Sequence, residues 1–191
     1  ENFLRIDSVR LFGLRYFGAS EFAPYQLITY MFSHSTYDIW HIIGNMFALY
    51  MFGSSLEQTW GAKRFLQFYL ITGIGAGVLY QLASGIELYL AADTFSTAAL
   101  SMQDQAYMNI PMVGASGAVF GILLAFGMLF PNVRLMLLFP PIPIKAKWFV
   151  LFYGLYELYA TIQNSPTDNV AHLAHLGGML FAFILIKMWK K

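Results

Sequence analysis

Apolar residues run along this chain in long blocks, not in the strict alternation of a strand or the narrow stripe of a surface helix. A bilayer's hydrocarbon core is crossed by roughly 20 apolar residues in helix. Four blocks with few charges meet that length: Ile39–Leu56, Phe65–Ser84, Met112–Phe130 and Val170–Trp189. A fifth, Trp148–Ile162, is shorter and contains Glu157; Lys145 and Lys147 precede it and Asn164-Ser165-Pro166 follow it. The pattern predicts an all-α, polytopic transmembrane bundle with spans near 39–56, 65–84, 112–130, 148–162 and 170–189. Residues 1–37 mix Arg5, Asp7, Arg10, Arg15 and Glu21 with aromatics, and no part of them could span. They are expected to form an external segment partly resting on the interface, with the membrane core over 38–191.

Composition agrees. Of 191 residues, 58% are hydrophobic and 11% charged, against about 25% charged in an ordinary soluble domain. Too few charges remain to cover a water-facing surface. A net charge of +1 leaves no footprint for nucleic acid. Without cysteine there is no disulfide, thiolate metal site or Cys nucleophile. Basic residues set the orientation. Lys63 and Arg64, then Arg134, Lys145 and Lys147, then Lys187, Lys190 and Lys191 all fall on one side under alternating topology. The opposite side receives 85–111 and 164–169, with acids and no base. The basic side is expected to be cytoplasmic.

Polar groups within spans are costly and mark candidate sites. The first, third and fifth spans all start from the outer face, so their N-terminal polar residues share one leaflet. These are His41 and Asn45, Ser116, and His172 and His175. His41 and Asn45 are four apart and project from one face. A Ser beside a neutral His is the minimum for nucleophilic hydrolysis, the imidazole taking the hydroxyl proton as the oxygen attacks. His41, Asn45 and the Ser116 backbone N–H could donate to the developing oxyanion. Small residues permit close helix crossings in lipid: Gly117 and Gly121 on the third span, Ala174, Gly178 and Ala182 on the fifth, and Gly73 and Gly77 on the second.

Rival chemistries fit less well. An intramembrane zinc site would use His41, His172 and His175, but the HExxH pattern and a nearby acidic ligand are missing. An aspartyl protease needs two Asp within spans, and there are none. A transporter would show repeats or broken helices.

These residues resemble the rhomboid family of intramembrane serine proteases, from about Pro24 to the C-terminus. His41-x-x-x-Asn45 is similar to the family's HxxxN motif, Gly114-Ala115-Ser116-Gly117 to its GxSG, and Ala174-His175-x-x-Gly178 to its AHxxG. Pro24-Tyr25-Gln26-Leu27-Ile28-Thr29, then Phe32 and His34, resemble the approach to the family's second helix; Glu57 matches its acidic residue at the cytoplasmic end of that helix. The resemblance implies a Ser116–His175 dyad without a third acidic member, an oxyanion hole from His41, Asn45 and Ser116, and support from Gly114, Gly117, Phe120 under the His ring, and Gly178. It implies cleavage of transmembrane segments of other membrane proteins, without metal or cofactor. Gln163–Asn169 would cap the site. His172 reads as structural or cavity-lining, His34 as a partner of the external loop, and Glu57 with Arg64 as a structural pair. The family has six core helices, which implies that the first lies upstream of Glu1, and no external Trp-Arg pair appears. The expected setting is a bacterial inner membrane, with the site opening to the outer face. A non-catalytic rhomboid-like protein that binds transmembrane clients is the alternative, as is a small-solute channel.

Overall fold

A computed structural model describes residues 8–35, 37–136, 141–163 and 172–189. Short helices α1 (Ser8–Phe12) and α2 (Gln26–Thr29) precede α3 (Ile39–Ala48), which continues through a π-helical stretch (Leu49–Gly53) into α4 (Ser54–Trp60). Then come α5 (Ala62–Ala92), α6 (Met102–Met108), α7 (Ser116–Leu129), a hairpin of β1 (Arg134–Met136) and β2 (Pro143–Lys145), α8 (Ala146–Gln163) and α9 (His172–Trp189). β1 and β2 pair antiparallel, Leu135 opposite Ile144. Each of the five apolar blocks contains a helix among the described residues.

Two boundaries differ from the sequence pattern. α5 continues past Ser84 to Ala92, where Asp93 turns it off with a left-handed φ of 51°. At 1.5 Å per residue its 31 residues extend about 46 Å, well beyond a hydrocarbon core of about 30 Å. The third block starts its helix only at Ser116, because Met112 is taken by a bridge to Leu14. Gly114, at φ 124°, then breaks any helix from that side.

α5 and α9 are long and apolar enough to cross a bilayer, each with a window of mean hydropathy 1.4. α7 is apolar but has only 14 residues. The outward faces stay apolar: Trp40, Tyr50, Leu90, Leu155, Tyr159 and Ile162 are all exposed. A water-soluble monomer rarely exposes such continuous apolar area; lipid is the solvent that leaves it without cost.

α5, α7 and α9 pack against one another as the centre of the bundle. Small residues make that possible. A Cβ on Gly178 would strike the carbonyl oxygen of Gly117, and one on Gly121 would sit 3.0 Å from the Gly178 carbonyl. The predicted small faces of α7 and α9 therefore meet. Gly73 and Gly77 have a different partner: a Cβ there would meet Met31, and Leu14 and Tyr30, from the N-terminal segment. That segment, expected at the interface, contributes Leu14, Tyr30 and Met31 to the main apolar core. The Tyr30 hydroxyl donates to the Gly73 carbonyl at 2.7 Å, and Gln81 of α5 accepts from Phe17 N–H and donates to the Arg15 carbonyl.

The expected Glu57–Arg64 pair is not among the ion pairs of the described residues. Arg64 instead lies over the Trp189 ring, 4.3 Å from its centroid, which ties the start of α5 to the end of α9.

Candidate active site

Ser116 is the first residue of α7. The first backbone N–H groups of a helix have no intrahelical acceptor, so the Ser116 N–H is free of the ladder. The approach to it is fixed from behind. Met112 exchanges both backbone bonds with Leu14, and Gly114 N–H donates to the Tyr30 carbonyl at 3.0 Å. Glycine is required at 114 twice over. Its φ is left-handed, and a Cβ would lie 2.7 Å from His41 Nε2 and 3.8 Å from Ser116 Oγ. The His41 ring and the Ser116 hydroxyl thus border the same small space.

His175, one turn into α9 and buried, brings Nε2 to 2.8 Å from Ser116 Oγ. A serine at a helix start has the option of bonding its own backbone; here its oxygen faces the imidazole. The ring lies flat on Phe120, centroids 4.1 Å apart and planes 7° from parallel. Phe120 sits one helical turn beyond Ser116, so one face of α7 supplies both hydroxyl and ring platform.

Asn45 is buried, and its amide donates to the His41 carbonyl one turn back, at 2.7 Å. That uses one of its two N–H donors and leaves the second. His34 packs edge-on to His41 with centroids 5.3 Å apart, and its Nε2 is buried without a hydrogen-bond partner. The expected bond from His34 to the external loop is not formed at that atom. Burial, then the neighbouring His41, hold the His34 pKa below the ordinary imidazole value. The loop expected to cap the site, Gln163–Asn169, lies outside the described residues after Gln163.

A rhomboid-domain profile matches residues 21–190. The chain belongs to the rhomboid family. It is 37% identical to RHOMBOID-like protein 12, mitochondrial, of Arabidopsis thaliana over 83% of this chain and 44% of that protein. It is 32% identical to Rhomboid protein 1, mitochondrial, of Saccharomyces cerevisiae over 80% of this chain and 38% of that one. With Rhomboid protease AarA of Providencia stuartii it shares 28% identity over 76% of this chain and 49% of the relative. The chain spans less than half the length of each. An integral-membrane rhomboid is thereby placed in a membrane. The expectation of a bacterial inner membrane finds no support, since the two most similar of these relatives are mitochondrial by name.

One feature of this rhomboid site departs from what the resemblance implied. His175 does have an acid behind it. Glu157 of α8, only 3% exposed, places Oε2 at 2.9 Å from His175 Nδ1 and at 2.6 Å from His172 Nδ1. His172 is therefore a carboxylate partner more than a cavity lining. In the sequence Glu157 appears only as a blemish on the weakest span. Its position in an apolar block was the available signal, since an ionisable group in a span is a functional candidate by default.

The same three side chains are also a donor set that could hold a metal, their ligand atoms lying within 4.8 Å of one another. Two imidazoles and a carboxylate suit zinc. The lack of a nearby acid, which counted against a zinc reading of the sequence, does not hold in the fold; His41 of the sequence-based set is not part of this cluster.

Proposed function

We propose that this rhomboid is an intramembrane serine protease that hydrolyses peptide bonds in or near transmembrane segments of other membrane proteins. The observation that carries the reading is the 2.8 Å approach of Ser116 Oγ to His175 Nε2. Ser116 attacks the scissile carbonyl and its proton passes to Nε2 as the Oγ–C bond forms. The imidazolium returns that proton to the leaving amine as the C–N bond breaks. Water then repeats the sequence on the acyl-enzyme, with His175 as base. The oxyanion is received by the Ser116 N–H at the start of α7, with His41 and the second amide N–H of Asn45 as side-chain donors. The helix start adds its own partial positive charge.

Gly114 and Gly117 keep this space open and Gly178 lets α9 approach. The substrate class follows from the setting. The nucleophile heads a helix packed against both α5 and α9, and the outer helix faces are apolar, so an apolar segment arriving through lipid is the polypeptide with the easiest access.

Purified protein in detergent micelles treated with a fluorophosphonate tests this. Covalent labelling at Ser116, lost in Ser116→Ala and in His175→Ala, is expected. An unlabelled but folded wild-type protein would favour a client-binding rhomboid without catalysis.

A further inference from the structure

Glu157 is a buried carboxylate left unused by a two-residue mechanism. It lies on α8, whereas both of its imidazole partners lie on α9. One carboxylate oxygen, Oε2, meets both Nδ1 atoms at 2.6 and 2.9 Å. Hydrogen-bond satisfaction fixes the protons. A neutral imidazole has one N–H and one bare nitrogen, and an ionised carboxylate only accepts. A single oxygen contacted twice at these lengths is satisfied when it is ionised and both Nδ1 atoms carry hydrogen. His175 then has its bare nitrogen at Nε2, which is the nitrogen facing Ser116. A proton on Oε2 would reverse this for one of the two rings.

We propose that Glu157 is a positioning residue: its carboxylate fixes His175 in the Nδ1–H tautomer and balances the imidazolium, while His172 pins the carboxylate. This rests on the Ser116–His175 reading above. No proton need leave His175 Nδ1 at any step. The hydroxyl proton moves to Nε2 and on to the amine, and Glu157 stays ionised throughout, as the acid of soluble serine-protease triads does. The ring is thus held from three directions, by Phe120 on its face, Ser116 at Nε2 and Glu157 at Nδ1. His172 adds the fourth constraint by holding the oxygen itself. A carboxylate with one imidazole partner could rotate about its last torsion; the second short bond removes that freedom.

The test is kinetic, on the full chain in micelles with a fluorogenic transmembrane peptide, comparing wild type, Glu157→Gln, Glu157→Asp, His172→Ala and Ser116→Ala. Removing the acid in a soluble triad costs about 10⁴ in kcat. Glu157→Gln, nearly isosteric, is expected to lower kcat by roughly 10² to 10⁴ with KM changed less than about threefold. Glu157→Asp, which restores the charge on a shorter arm, is expected to recover part of the loss. His172→Ala is expected to fall between the wild type and Glu157→Gln. Thermal unfolding of each variant identifies folded samples; should Glu157→Gln not fold, Glu157→Asp and His172→Ala carry the comparison through their kcat values. A folded Glu157→Gln within threefold of wild-type kcat would overturn the proposal, and so would a loss that appears in KM. Activity abolished by EDTA and restored by zinc would overturn it too, because a metal on Nδ1 forces the hydrogen to Nε2. These outcomes stand apart from failure of the underlying reading, which shows instead as activity surviving in Ser116→Ala.

Discussion

Gly178→Ala is the sharpest single perturbation of the proposed chemistry, because it acts on distance alone. Neither Gly178 nor its neighbour Gly117 supplies a reacting group, yet Gly117 follows Ser116 directly. A methyl on Gly178 would fall on the Gly117 carbonyl far inside 3.0 Å, a separation that real Cβ contacts essentially never undercut. Backbone cannot rotate away as a side chain does, so α7 and α9 must move apart by at least several tenths of an ångström. The Ser116–His175 bond spans this same crossing and starts at 2.8 Å. A shift approaching 1 Å takes it beyond hydrogen-bond reach, and misplacement of that size costs on the order of 10² in rate. Overpacking of a tight interior typically costs about 1–3 kcal/mol of stability, so the fold should survive with a lowered melting temperature. Gly44→Ala is the control, since a Cβ there meets nothing within 4 Å. Fluorophosphonate labelling at Ser116 reads the rate, and a thermal scan in the same micelle reads stability. Labelling of Gly178→Ala within threefold of wild type, with normal stability, would refute the crossing as the device that sets the site's geometry.

Three other predictions follow from separate parts of the structure. Gly114→Ala should cut labelling at least as deeply, because an L-residue is strained at φ 124° and its Cβ meets His41 Nε2 at 2.7 Å; full labelling would show that this loop does not need glycine. Tyr30→Phe removes the hydroxyl that donates to the Gly73 carbonyl at 2.7 Å; that carbonyl keeps its bond within α5, so the cost is that of one ordinary hydrogen bond, about 0.5–1.5 kcal/mol, and urea or thermal titration should show this modest destabilisation with Ser116 still reactive. His34 is held below its ordinary pKa in the fold by burial and His41, so the unfolded chain binds more protons there as pH drops below about 6.5. Its contribution to stability is present above that value and lost on acidification. The melting temperature should therefore fall less between pH 7.5 and 5 in His34→Phe than in wild type, and equal slopes would refute the assignment.

Much of this was legible along the chain, for definable reasons. Lipid makes nearly every helix residue apolar, so the five blocks are visible as lengths. Small residues at spacing four expose crossings, which is why the faces of α7 and α9 were readable from Gly117, Gly121, Gly178 and Ala182. The partner of Gly73 and Gly77 was not readable, because a glycine states that something comes close and not what. Here it is Met31, Leu14 and Tyr30, from a segment whose arginines and broken pattern looked peripheral. The late start of α7 was hidden likewise. Met112 and Val113 are as apolar as the residues after them, and the bridge to Leu14, the bond from Gly114 to Tyr30 and the positive φ of Gly114 hold them out of helix.

Glu157 shows where reading by motif stops. His41, Asn45, Ser116 and His175 come in spaced patterns, each within one helix turn or one tight loop, so local geometry carries them. Glu157 stands alone on α8 and acquires meaning only when α8 lies beside α9, where His172 and His175, three residues apart, turn both Nδ1 atoms to one oxygen. The cost of burying a carboxylate in an apolar bundle is several kcal/mol unless hydrogen bonds offset it, and two imidazole donors do so. A charged residue in the least convincing span was thus the one signal that the span's inner face had a partner. In a lipid-embedded chain the polar residue that spoils a hydrophobic block deserves the same weight as the motif that decorates one, because the bilayer tolerates it only where the rest of the fold has supplied its bonds.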